Sequence, residues 1–92
     1  MKPQPGSGDL HTAAIEMADQ ARRAIINQDH LVAAAYFAAA AEMEHQVLAL
    51  LPVDQERTRK AIADSMANLR VAAADARRQA RGAAVRISEA AE

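Results

Sequence analysis

The sequence predicts an all-α fold, an antiparallel three-helix bundle with a long third helix. Three observations predict it. Small residues surround a single phenylalanine, with Ala33, Ala34, Ala40 and Ala41 flanking Phe37 at helical spacing. Two clusters of helix-breaking residues, Asn27-Gln28-Asp29 and Pro52 to Asp54, divide the alanine-rich chain into three segments. The third segment carries an unbroken heptad seam.

The first eight residues, Met1-Lys2-Pro3-Gln4-Pro5-Gly6-Ser7-Gly8, are Pro/Gly/Ser punctuation and read as a disordered lead-in. The first helix is expected to begin at Asp9, whose carboxylate can cap the opening amides. Leu10, Ala14, Met17, Ala21 and Ala24 or Ile25 then share a face, and Arg22 and Arg23 suit the negative pole of the helix dipole. Asn27-Gln28-Asp29 breaks this pattern and supplies a new cap, so a tight helical hairpin follows.

The second helix is expected from about His30 to Leu51, with a buried stripe of Ala34, Phe37, Ala41, Val47 or Leu48, and Leu51. Pro52 and Asp54 stop it and start the next. In the third, Ile62, Met66, Leu69, Ala73, Ala76, Ala80, Ala83 and Ile87 alternate spacings of four and three. Past about Arg77 this helix should outrun its neighbours. Gly82, preceded by three arginines, reads as a C-terminal stop, although the seam continues beyond it. The expected organisation is a lead-in over 1–8, a bundle over 9–81, and a helical extension or frayed tail over 82–92.

Composition narrows the function classes. With no cysteine there is neither a disulfide framework nor a thiolate metal site. No apolar run approaches the roughly 18 residues of a membrane span and no signal peptide is visible, so a cytoplasmic location is expected. Nine arginines against two lysines, in an alanine-rich chain, point to a GC-rich bacterial genome. Charge is lopsided: the acids concentrate before Arg57 and the bases after it. Internal pairing between packed helices is the expected use of that asymmetry. A face of Arg70, Arg77, Arg78 and Arg81 could track phosphates, but the domain as a whole is not basic and has one tyrosine and one phenylalanine for stacking. Nucleic acid is therefore not the expected partner.

Few residues recommend themselves for chemistry. Glu42 and His45 form a Glu-x-x-His pair, the i, i+3 spacing of di-iron bundles, and Glu16 could add a ligand, but a second copy would have to complete the site. His11 and His30 sit at helix starts. Neither Ser65 nor Ser88 has a base at a recommending spacing, and there is no glycine-rich phosphate loop. No cofactor and no enzymatic activity are expected.

The stretch Ala14-Ile15-Glu16-Met17-Ala18-Asp19-Gln20-Ala21 resembles the opening helix of microtubule-interacting and trafficking (MIT) domains. Ala33, Phe37 and Ala40 match the small-aromatic-small pattern of their second helix, and Met66, Leu69 and Ala73 resemble their third. Tetratricopeptide (TPR) helix pairs share the same logic. The resemblance spans Asp9 to Arg78, and departs from the family at Ala72-Ala73-Ala74, where MIT domains commonly carry Arg-Ala-Glu. It implies a left-handed three-helix bundle that docks a helical segment of another protein in a groove, between the second and third helices or the first and third. Candidate groove residues are Val47 and Leu50 for an apolar floor, with Arg59, Asp64, Asn68 and Arg70 on the rim. The expected function is thus a non-enzymatic module binding a protein or peptide helix. The alternative is self-assembly through the third helix, as a homo-oligomer in which Glu16, Glu42 and His45 could hold a metal.

Overall fold

A computed structural model of the chain describes residues 6–91, without the side chains of residues 87, 88 and 91. Residues 1–5 of the expected lead-in, and the side chain of Ile87 in the heptad seam, lie outside the described residues. The fold is an all-α three-helix bundle: α1 spans Ser7–Ile26, α2 His30–Leu50 and α3 Glu56–Ala91. At 1.5 Å per residue these are about 30, 32 and 54 Å long. The long third helix sets the largest dimension, with overall Cα extents of 58 × 31 × 17 Å.

The termini of the helices depart from expectation in instructive ways. The first helix begins two residues before Asp9, with Gly6 as N-cap. Asp9 caps from inside the first turn, its carboxylate accepting the Gly6 N–H at 3.3 Å. Ser7 and Gly8 are therefore helical rather than part of a lead-in. The hairpin after Ile26 is closed by a Schellman arrangement: Asp29 N–H donates to the Ala24 carbonyl at 2.8 Å and Gln28 N–H to the Ile25 carbonyl at 2.9 Å. This places Gln28 at φ 61°, the left-handed conformation that glycine usually occupies. Asp29 is the N-cap of α2, but through its backbone; its side chain makes no capping hydrogen bond.

At the other end of α2, Arg59 reaches back from α3. Its Nη1 donates to the carbonyl oxygens of Leu48 at 2.8 Å and Leu51 at 3.0 Å. These are among the acceptors that a helix end leaves without intrahelical partners, and a cation there also meets the negative pole of the dipole. The third helix then runs through Gly82 to Ala91 without a break. The arginines before Gly82 do not terminate it; Ala80, Ala83 and Ala84 line a shallow surface recess with His30, Leu31 and Val32 at the start of α2.

α2 packs against both other helices, while α1 and α3 hardly meet. The sequence of α2 explains its central place, since it is apolar on nearly every side whereas α1 and α3 are amphipathic. The core is built mainly of alanine: Ala21, Ala24, Ala33, Ala34, Ala73 and Ala76 cluster around Phe37. Small side chains let the helix backbones approach closely, with the phenyl ring as the one large filler.

The expected electrostatic match between helices is not how the charges pair. Among the described residues, Arg22–Asp19, Lys60–Asp64 and Arg78–Asp75 are pairs within one helix, three or four residues apart and exposed. Such pairs contribute only a few tenths of a kcal/mol, ~0.3–0.5. Among the described residues, only His11–Glu44 joins two helices. No described helix is long and apolar enough to cross a membrane.

Candidate functional site: a groove over a buried carboxylate

Because α1 and α3 diverge on either side of α2, a groove opens between them. Its wider end encloses about 500 Å³ between Ser7, Gly8 and His11 of α1 and Arg57, Thr58, Ala61, Ile62 and Ser65 of α3, with Val47 and Leu51 of α2 and its exit turn as floor. His11 and Ser65 also line the adjoining, narrower recess of about 120 Å³, which continues along Ala14, Ile15, Ala18 and Arg22 on one wall and Leu69 on the other. The floor of that recess is Glu44.

Glu44 is the outstanding residue of the interior. It is 1% exposed and is the largest fully buried side chain in the described structure. One carboxylate oxygen, Oε1, lies 2.8 Å from His11 Nδ1. The other, Oε2, is buried and finds no hydrogen-bond partner among the described residues. A buried acceptor left without a donor costs about 1–3 kcal/mol, and more when it is charged. An alanine-rich core could have placed a small apolar residue here. His11 contributes a half-exposed side chain at the groove wall, and the carboxylate lies buried beneath it.

The positions of these two residues follow from helix periodicity. Ala33, Phe37, Ala40, Glu44 and Val47 alternate spacings of four and three along α2, and all are buried. Glu44 thus occupies a core register position. Likewise Ala14, Ala18 and Ala21 are buried on α1, and His11 lies three residues before Ala14 on that same seam. The sequence carried this signal, a charged residue on an apolar stripe, but a stripe drawn through Ala34, Phe37 and Ala41 steps over it.

Of the residues expected at a groove, Val47 is buried in the floor of the α1–α3 groove. The others are not gathered there. Arg59 is engaged in holding the end of α2, Asp64 pairs with Lys60 at 3.0 Å, and Leu50 and Asn68 are exposed outside both parts of the groove. Arg70 lies on the opposite, α2–α3 side, in a recess with Glu42 and Arg77. Glu42 therefore faces arginines, His45 and Glu16 are exposed, and among the described residues no three His, Asp or Glu side chains come together as a metal site would need. Within the one chain, the His–Glu pair that forms is His11–Glu44.

No protein-family model, curated protein or solved structure matches this chain.

Proposed function

We propose that this chain is a protein-interaction module that receives an amphipathic helix of a partner in the groove between α1 and α3. The observation that carries the reading is the open side of the bundle. Two amphipathic helices flank a central apolar one without closing over it, leaving Val47, Leu51 and Ile62 at the base of a groove of about 500 Å³. Val47 and Ile62 are already buried, so a helix laid there would add burial over the half-buried Leu51 and the exposed Thr58 and Ala61 of the walls. The resemblance to MIT and TPR helices supports the same class of function.

The test is a selection of amphipathic helical peptides from a displayed library on the folded chain, followed by NMR mapping of the best binder. Amide shifts grouped on Ser7–His11, Val47–Leu51 and Arg57–Ser65, abolished by Thr58→Trp, are the expected result. Shifts grouped around Arg70 and Ala38, or no selected binder, would sink the proposal.

A second reading, self-association, has its own observation. Leu31 is 70% exposed and Val32 48%, beside the far part of α3, and Ile26, at the end of α1, is 79% exposed. Such a cluster offers a seat for a second copy. Light scattering on a sizing column, with Leu31→Glu as the disrupting variant, decides it. A monomer at all concentrations rejects it.

A further inference from the structure

Resting on that groove reading, we infer that Glu44 is the receptor for a cationic side chain, lysine or arginine, carried on the inward face of the docked helix. Three observations meet at one place. Glu44 Oε2 is a buried acceptor with no donor among the described residues, although Oε1 of the same carboxylate is bonded to His11 at 2.8 Å. The residue floors a recess of about 120 Å³ that opens between α1 and α3 and adjoins the wider groove. The walls there are aliphatic at Ala14, Ile15, Ala18 and Leu69, and neither Ser65 nor Arg22, which also line the recess, donates to Oε2.

A methylene stem passing between those walls would place an ammonium or guanidinium group on the carboxylate, the arrangement in which long basic side chains bury their stems and spend their charge on a partner. Charge-assisted bonds of this kind are about twice as strong as neutral ones. The other charged groups facing the recess set its polarity. Arg22 lines the far end of the narrow part and is engaged with Asp19 at 3.0 Å, and Arg57 lines the wide end. Both stand at the ends of the groove, so the acid in the middle is framed by cations. A helix that fits carries its basic residue centrally, with apolar residues three and four positions to either side. Oε2 is already shut off from water in the free chain, so an apolar helix would leave its hydrogen bond unmet, whereas a basic residue would supply the donor.

The experiment runs the helix selection in parallel on the unaltered chain and on Glu44→Gln, which keeps the shape and removes the charge. For the best binder, the central basic residue is then replaced by citrulline if arginine, or norleucine if lysine. The expected result is enrichment of a central Lys or Arg on the unaltered chain only. The neutral peptide should bind the unaltered chain 10- to 100-fold more weakly and bind Glu44→Gln no worse than the basic one does. If helices are selected with no preference for a basic residue, the inference fails while the groove reading stands. If none is selected, both fail. Should Glu44→Gln not fold, the paired peptides on the unaltered chain decide alone: equal affinities overturn the inference. A concentration-dependent dimer of the free chain that Glu44→Gln dissolves would put a second copy in the groove and overturn the assignment to a separate partner.

Discussion

Replacing Glu44 by methionine should make the protein more stable. The perturbation removes a carboxylate that is 1% exposed and whose Oε2 has no donor, which relieves roughly 1–3 kcal/mol of unmet hydrogen bonding. Methionine is unbranched and close to glutamate in shape, and placing its thioether in an aliphatic recess adds on the order of 1 kcal/mol. Against this stands the bond to His11, whose side chain is 43% exposed; solvent screening reduces its worth to about 1 kcal/mol. The net is a stabilisation of roughly 1–3 kcal/mol, in line with buried ion pairs that are replaced by apolar residues. For a domain of this size each kcal/mol moves Tm by about 4–8 °C. Thermal and urea unfolding followed by circular dichroism would read it. His11→Ala should act oppositely, destabilising the unaltered chain by about 1–2 kcal/mol because both carboxylate oxygens then lack a donor, yet being close to neutral in the Glu44→Met background. A Glu44→Met protein destabilised by more than about 1 kcal/mol would refute the reasoning. Glu44 would then be a keystone of the fold.

Four other substitutions probe the architecture. Arg59→Met removes two donors from the carbonyls of Leu48 and Leu51 and should lower stability by roughly 1–3 kcal/mol, seen as a fall in the urea midpoint at constant slope. Phe37→Ala, in a core whose neighbours are too small to refill the space, should cost about 3–5 kcal/mol, a large share of what a domain of this length has; a loss under about 1.5 kcal/mol would contradict the packing described. Gln28→Gly should stabilise by up to about 1 kcal/mol by relieving the left-handed backbone at φ 61°, offset in part by unfolded-state entropy, and a drop in Tm would count against it. Gly82→Ala should raise helicity and add about 0.5–1 kcal/mol, because a methyl group there meets only Arg86 Nη1 at 3.6 Å; unchanged or lower helicity would be inconsistent with the continuous third helix.

The sequence by itself determined the three helices, their antiparallel order and the seam of α3. These rest on local physics: alanine propensity, the breaking of the pattern at Asn27-Gln28-Asp29 and Pro52, and the spacing of Ile62, Leu69, Ala73 and Ala76. It was less able to place the ends, because the competing signals at Gly8 and Gly82 are each worth about 1 kcal/mol and neighbouring contacts can outweigh either. Only the tertiary structure decided which charges matter. Asp64 and Arg59 looked alike as rim residues, but one lies in an exposed pair and the other holds the end of α2. His11 and Glu44 are 33 residues apart in the chain, and their bond exists because the antiparallel packing of α1 on α2 brings the start of one beside the end of the other. The groove above them was equally invisible to periodicity. Two amphipathic faces predict burial, but whether they bury against each other or remain apart over a shared central helix is settled by how closely alanine lets each of them pack on α2.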